Sequence, residues 1–155
     1  TADNYNSPGQ VVIAGHKEAV DEIVQVLKEM GAKRALALPV SAPFHTPLMS
    51  SAGERLAVDI EDTNIKSPKI DVLSNVNAET QSDPALIKKL LVKQISSPVL
   101  WTGCIQYIVS RGVGYAIELG PGKVLTGLCR RIDKSLTCNS LEDPESLTSA
   151  NEIIL

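Results

Sequence analysis

The sequence predicts an α/β fold, because strand-like and helix-like segments alternate along the chain. Short apolar runs closed by glycine, proline or polar residues are typical of strands, and they occur at 10–15, 35–40, 70–76 and 115–119. Apolar residues with helical spacing lie between and after them, at 16–30, 48–61, 85–94, 99–110 and 123–132. The chain contains no internal repeat and no low-complexity segment.

The first three of these elements predict a β-α-β unit over residues 10–40. The apolar run 10–15 ends in glycine, and the helix that follows has Val20, Ile23 and Leu27 on one face. Gly31 suits the position just after a helix, where a left-handed backbone is common. The second strand of the unit is then 35–40.

Turn and cap residues set the limits of the later elements. Asp83 before Pro84 is typical of a helix start, with the acid as the cap and proline in the first turn. Trp101 lies on the next helix, where we interpret it as a core or interface anchor. From Asp133 onward the sequence is polar, and we expect residues 136–155 to form a polar tail.

Composition excludes several function classes. The 155 residues carry a net charge of −3 and only 3% aromatic side chains, so neither a basic surface nor a stacking platform for nucleic acid is indicated. No apolar run is long enough to cross a membrane, and no signal peptide opens the chain. The three cysteines are far apart and lack metal-site spacing, so we expect a reducing, cytoplasmic environment with no disulfide and no metal.

The loop around His45 is the strongest candidate for chemistry. It leaves the predicted strand 35–40 and enters a helix near Pro47, since proline suits a first helical turn. A histidine at such a corner is well placed for proton transfer near neutral pH. The alternative is a histidine that only caps or packs the loop.

No nucleophile accompanies this histidine. The GxSxG elbow of serine hydrolases and acyltransferases is absent, and no cysteine lies in such a turn. The motif GPGK at 120–123 resembles part of a phosphate loop, but the full pattern is missing. We therefore interpret GPGK as a structural turn between a strand and a helix.

Four motifs in order, together with Gln94, resemble the malonyl-CoA:acyl carrier protein transacylases of bacterial fatty acid synthesis. The motifs are NYNSPGQVVIAG (4–15), PFHTPLM (43–49), PVLW (98–101) and ELGPGKVL (118–125). The resemblance covers essentially the whole chain and is to the C-terminal half of that family. It implies a part of a hydrolase-like parallel-sheet core plus the second half of a ferredoxin-like small lobe. The implied domains are 1–40 for the small lobe and 41–135 for the core.

The resemblance also implies roles for particular residues. His45 matches the family's general base, and the backbone carbonyl of Gln94 would accept the other ring N–H. The serine of a GHSxG elbow, the arginine that binds the malonyl carboxylate and the oxyanion-hole amides would lie in the missing N-terminal half. This chain alone would then be inactive.

Substrate-binding residues follow from the same resemblance. Asn4 and Asn6 match residues that line the cleft between the lobes, with turn formation as the alternative. Asn75 ends a core strand near that cleft. Phe44 is the residue type that accompanies malonyl in related polyketide acyltransferases, where serine accompanies methylmalonyl; the alternative is that Phe44 packs the loop against the core.

The implied substrates and partners complete the expectation. Malonyl-CoA and phosphopantetheinylated acyl carrier protein are the substrates, with no cofactor. The partners are the carrier protein, the coenzyme A thioester and the missing half of the enzyme, with no nucleic acid and no membrane. Two alternatives are a piece of a polyketide-type acyltransferase with another acyl group and a non-catalytic carrier-protein-binding module.

Overall fold

The computed structural model describes residues 1–148 and has the mixed helix-and-strand fold that the sequence predicts. The helices of this part are α1 Lys17–Glu29, α2 Ser50–Glu61, α3 Pro84–Lys93, α4 Trp101–Ser110 and α5 Val124–Ile132, and a 3₁₀ turn covers Pro47–Met49. The strands are β1 Ala2–Ser7, β2 Gln10–Ile13, β3 Val72–Ser74, β4 Glu79–Gln81, β5 Tyr115–Leu119 and β6 Thr137–Leu141.

The caps that the sequence predicts are present. The Asp83 side chain accepts a hydrogen bond from the N–H of Ala85 at the start of α3. Gly31, with φ +90°, ends α1 by donating to Lys28, and the next N–H reaches Leu27. These two bonds satisfy carbonyls that a helix end otherwise leaves unpaired.

The strands form three two-stranded sheets. β1 and β2 are antiparallel, β3 and β4 are an antiparallel hairpin, and β5 and β6 are parallel. Since β5 and β6 are joined through α5, the unit β5-α5-β6 is the parallel part of the fold. The expected strand at 70–76 is shorter, and its hairpin partner β4 was not predicted, because Glu-Thr-Gln has no apolar pattern.

Residues 35–40 do not form the strand that the sequence predicts. The segment has no regular secondary structure and pairs with no strand of residues 1–148, so the predicted β-α-β unit over 10–40 is wrong in its last element. Alternate side chains Leu36, Leu38 and Val40 are 69%, 52% and 62% exposed. A strand needs a neighbour for its backbone hydrogen bonds, and the described residues supply none here.

The expected polar tail is also wrong in its first part. Within the range 136–155, β6 pairs with β5, and Leu136 and Cys138 are almost fully buried. They join Ile105 and Cys129 in the core cluster, which lies among α4, α5 and the β5–β6 sheet. Polar residues alternate with these apolar side chains and hide the strand in the sequence. Residues 149–155 of the expected tail lie outside the described residues.

β1 connects the start of the chain to its later part by backbone hydrogen bonds. Tyr5 donates its N–H to the carbonyl of Val99 at 2.9 Å, and Val99 donates to Asp3 at 2.8 Å. Arg131 on α5 also donates to the Gln10 side chain at 2.7 Å. The expected boundary between residues 1–40 and 41–135 is therefore crossed by direct backbone pairing.

Candidate functional site

His45 has an unusual backbone for its residue type. Its φ is +59°, in the left-handed region that residues with a Cβ rarely adopt. The half-buried histidine stands one residue before Thr46, which is 1% exposed and precedes the 3₁₀ turn Pro47–Met49. Such backbone strain persists only where the surroundings hold it, and it is frequent at functional sites.

The imidazole of His45 is fixed by a backbone carbonyl. Its Nδ1 lies 2.8 Å from the carbonyl oxygen of Gln94, the contact that the resemblance implied. A carbonyl oxygen can only accept, so Nδ1 carries the proton and the Nε2 of the neutral ring keeps its lone pair. The arrangement leaves Nε2 as the nitrogen that can take a proton from another group.

The Gln94 carbonyl is available because of its place on α3. Gln94 is the C-cap residue of this helix, where the last carbonyls have no partner within the helix. The C-terminus of a helix also carries roughly half a negative elementary charge from its aligned peptide dipoles. A neutral group thus gives the ring some of the stabilisation that a carboxylate gives in a serine–histidine–aspartate triad.

A cavity of about 190 Å³ adjoins this pair and includes two of the predicted site residues, Asn75 and Gln94. Its other lining residues are mainly apolar: Val72, Leu73, Ser74, Gln81, Ile87, Leu90 and Leu91. Asn75 accepts a backbone hydrogen bond from Leu100 at 2.8 Å, which holds the end of β3 against the start of α4.

The other predicted binding residues, Phe44, Asn4 and Asn6, do not line the cavity that contains Asn75 and Gln94. Phe44 is 47% exposed, which does not support the alternative that it packs the loop against the core. Asn4 and Asn6 are half-buried on β1, where Asn4 pairs with Val12 and bridges Val99. In residues 1–148, neither asparagine side chain is hydrogen-bonded to His45.

The GPGK segment is a structural turn, as the sequence analysis concluded. The carboxylate of Glu118 accepts from the N–H groups of Leu125 at 3.0 Å and Thr126 at 2.7 Å, at the start of α5. Glu142 accepts from the N–H of Gly122 at 3.1 Å and pairs with Lys123 at 3.0 Å. The protein's own carboxylates therefore occupy the amides that a phosphate loop offers to its ligand. The sequence did not reveal either carboxylate contact, since the acids lie outside the motif.

Glu118 makes α5 sensitive to acid. Partial burial raises the pKa of this carboxyl, but the hydrogen bonds from Thr126 and Leu125 outweigh it and hold the pKa below its ordinary value of 4.5. A carboxyl whose pKa is lowered on folding stabilises the fold above its unfolded pKa. That contribution is lost as the pH falls through the folded value.

We expect Glu118→Gln to lower the melting temperature near pH 7, because an amide is a weaker helix cap than a carboxylate. Loss of a cap typically costs about 1 kcal/mol, or about 2–4 °C for a chain of this size. The difference from the wild-type chain should shrink as the pH falls through the lowered pKa of Glu118 and the wild-type carboxylate becomes protonated. Circular dichroism during thermal unfolding, recorded across pH 3–7, measures this difference in melting temperature.

The matched control is Glu22→Gln, which neutralises an exposed carboxylate in the middle of α1. It should change the melting temperature little at any pH. An equal effect of both substitutions would show that net charge, and not the cap, sets the stability.

The cysteines do not resemble catalytic nucleophiles. Cys104, Cys129 and Cys138 are all buried and free. Burial and the neighbouring Cys138 thiol raise the pKa of Cys129 to about 12, and burial raises the pKa of Cys104. Only the thiolate is an effective nucleophile, and these pKa values disfavour it.

The described range contains neither a metal-binding cluster nor a membrane-spanning helix. Within residues 1–148, no group of three or more histidine, cysteine or acidic side chains is arranged to hold a metal ion. None of the described helices has the length and apolar character needed to cross a bilayer.

The fold and the histidine–carbonyl pair define a class of protein: an α/β protein whose histidine ring is held by a main-chain oxygen. The sequence profile of the acyl transferase domain matches residues 2–149, and the chain belongs to this family. The resemblance found in the motifs is thereby confirmed at the level of the family.

The similar proteins are malonyl transacylases. The malonyl CoA-acyl carrier protein transacylase of Salmonella typhimurium is 48% identical over 147 residues, covering 95% of this chain and 48% of that protein. The Escherichia coli protein of the same name is 45% identical over 150 residues, covering 97% of this chain and 48% of its own length.

The similar solved structures are also malonyltransferases. The acyl-carrier-protein S-malonyltransferase of Burkholderia pseudomallei superposes with a TM-score of 0.94 at 48% identity, covering 97% of this chain and 49% of that chain. A malonyl-transacylase solved in complex with its type II polyketide acyl-carrier protein gives 0.96 at 44% identity, with 99% and 50% covered. The chain thus spans about half the length of the relatives it matches.

Proposed function

We propose that this chain supplies the general base for transfer of malonyl from malonyl-CoA to the phosphopantetheine thiol of acyl carrier protein. The observation that carries the proposal is the 2.8 Å contact between His45 Nδ1 and the Gln94 carbonyl. It leaves Nε2 able to accept a proton, in a chain whose family and relatives are acyltransferases. In this proposal the acyl group is carried on a serine in the half of the protein that the relatives have and this chain does not match.

The proposed reaction has two parallel steps. In the first, Nε2 of His45 takes the serine proton as the serine oxygen attacks the thioester, and the imidazolium then protonates the departing thiolate of coenzyme A. In the second, Nε2 takes the proton of the carrier thiol, which attacks the malonyl-serine ester, and the serine regains its proton. The Gln94 carbonyl, at the negative end of α3, stabilises the imidazolium formed in each step.

The remaining groups are assigned to the other half of the protein by the resemblance. That half would be N-terminal and would supply the GHSxG serine, the arginine for the malonyl carboxylate and the oxyanion-hole amides. The absence of any GxSxG motif from the 155 residues supports this division. We propose residues 1–40 and 41–135 as the parts of the small lobe and the core, with the β1–Val99 pairing between them. No cofactor is required, since the thioester itself is the activated group.

Asn4, Asn6 and Asn75 are proposed to line the substrate cleft. Asn75 lines the same cavity as Gln94, whose carbonyl contacts His45, and this supports its assignment most directly. Asn4 forms a β-bridge with Val99. The next residue, Leu100, donates its N–H to the carbonyl of Asn75, so Asn4 is linked to the same region. The partners in this proposal are coenzyme A thioesters and acyl carrier protein.

A second candidate differs only in the carrier or acyl group. The structure of a malonyl-transacylase bound to a type II polyketide carrier protein, at 44% identity to this chain, supports polyketide synthesis as the setting of this second candidate. Offering the enzyme carrier proteins of both types separates the two settings.

The test uses a hybrid transacylase, defined as the unmatched half of the Escherichia coli relative joined to the N-terminus of this chain. We expect the hybrid to transfer malonyl from malonyl-CoA to holo acyl carrier protein. A folded hybrid that binds the carrier protein but transfers nothing would favour the non-catalytic binding module instead.

Phe44 is predicted to bias the hybrid toward malonyl over methylmalonyl. Phe44 directly precedes the base in the sequence and is 47% exposed, so its ring could occupy the space that a C2 methyl group requires. One methyl group typically changes relative kcat/KM by about 10–200-fold. We therefore expect Phe44→Ser to raise relative use of methylmalonyl-CoA within that range, measured with the two thioesters in competition.

The control is Phe44→Leu, which keeps apolar bulk beside His45. It should leave the preference for malonyl nearer to that of the parent hybrid. An unchanged ratio in Phe44→Ser would remove Phe44 from the specificity argument.

A further inference from the structure

The backbone conformation of the loop that carries His45 requires stabilising hydrogen bonds. A left-handed backbone at a residue with a Cβ is unfavourable, and here it turns the ring toward a carbonyl 49 residues later in the chain. Neither Pro43 nor Pro47, which flank the loop, can donate a backbone hydrogen bond. The bonds that fix this turn must therefore come from another residue.

Thr46 makes such bonds on both sides of the histidine. Its hydroxyl donates to the carbonyl of Pro43 at 2.7 Å, which closes the chain around residues 44 and 45. Its own carbonyl accepts from the N–H of Met49 at 2.9 Å, which fixes the start of the 3₁₀ turn. Thr46 is 1% exposed, so water competes little for these bonds.

The hydroxyl acts locally. It is bonded to the loop's own backbone, and the Nδ1 contact to Gln94 is the side-chain hydrogen bond that then fixes the ring. Removal of the hydroxyl leaves the Pro43 carbonyl without this partner in a buried turn and frees residues 44 and 45 to relax.

We propose that Thr46 is a positioning residue: its hydroxyl holds His45 in the left-handed backbone that brings Nδ1 to the Gln94 carbonyl and keeps Nε2 free. The catalytic consequence rests on the proposed function. The predicted tautomer of His45 is independent of the proposed function, and it can be measured without any turnover.

The experiment records two-bond ¹⁵N–¹H correlation spectra of a hybrid transacylase in which only this chain is labelled, by ligation to the unlabelled half. His16 and His45 are then the only labelled histidines, and exposed His16, which makes no side-chain cap bond, is the internal control. At about pH 8.5 imidazole side chains are neutral, so each tautomer gives its own pattern.

We expect His45 of the parent hybrid to hold its proton on Nδ1. Thr46→Val, which keeps the shape and removes the hydroxyl, should lower the ratio of Nδ1–H to Nε2–H about fivefold or more, the effect of one hydrogen bond. Thr46→Ser should restore the ratio, and His16 should not change. In turnover, Thr46→Val should lower kcat with little change in KM, and Thr46→Ser should recover it.

An unchanged His45 tautomer in folded Thr46→Val would overturn the proposal, whatever the activity. A Thr46→Val hybrid that does not fold, judged by circular dichroism, would assign the hydroxyl to general stability and also overturn it. A hybrid that shows the expected tautomer change but never transfers malonyl would support the positioning role and reject the proposed function.

Discussion

Replacing His45 with alanine is expected to lower the acylation rate of the hybrid transacylase by about 10²–10⁴-fold, the range typical for loss of a general base. Without Nε2, the attacking serine loses the proton acceptor that the proposed mechanism assigns to it. The loss should fall on kcat, because His45 acts on the proton and not on the bulk of the substrate. The acylation rate is measured in a rapid-mixing experiment that monitors the release of coenzyme A during the first turnover.

The matched control for that experiment is Gln94→Ala. The contact to His45 runs through the main-chain carbonyl, which alanine retains. We therefore expect a far smaller loss, with the His45 tautomer unchanged. If Gln94→Ala lowered acylation as much as His45→Ala, a side-chain role for Gln94 would replace the carbonyl role.

Residues 1–155 alone are expected to form no malonyl adduct. The sequence has no GxSxG elbow, and its cysteines are buried, with the pKa of Cys129 raised to about 12. His45 is then a base without a nucleophile to activate. Intact-protein mass spectrometry after incubation with malonyl-CoA checks this prediction.

The hybrid transacylase is the positive control in the same assay and should accumulate one malonyl group in the absence of carrier protein. A stoichiometric adduct on residues 1–155 alone would place a nucleophile within this chain. It would contradict the division of the site between two halves.

Local signals in the sequence were sufficient for the helices and for the position of the site. Asp83 and Pro84 mark the start of α3, and Gly31 marks the end of α1, because each satisfies or avoids a particular unpaired backbone group. The flanking prolines predicted His45 at a corner between a strand and a helix; the 3₁₀ turn Pro47–Met49 does follow it, whereas no strand of the described residues precedes it at 35–40.

Pairing between distant segments could not be predicted locally. Residues 35–40 have the apolar pattern of a strand yet pair with nothing in residues 1–148, whereas polar β1 and β6 do pair. A strand is defined by its partner, and its own residues only make pairing possible.

The contact that defines the site was inaccessible to residue-by-residue reasoning for a related reason. His45 meets Gln94 through a backbone oxygen, which every residue type possesses, so no side chain at position 94 signals the role. Only the resemblance to the transacylases pointed to it. The hydroxyl of Thr46 gave no signal either, since its importance comes from the backbone geometry of the preceding residue.

The central claim is that His45 is the base of a malonyl transfer site, and transfer to the carrier protein tests it most directly. Holo acyl carrier protein is incubated with malonyl-CoA and either the hybrid transacylase or its His45→Ala variant, and the mass of the carrier is followed over time. The account predicts that the carrier gains one malonyl group with the parent hybrid and does so at least about 10²-fold more slowly with the variant. Equal rates of transfer by the two proteins would contradict it.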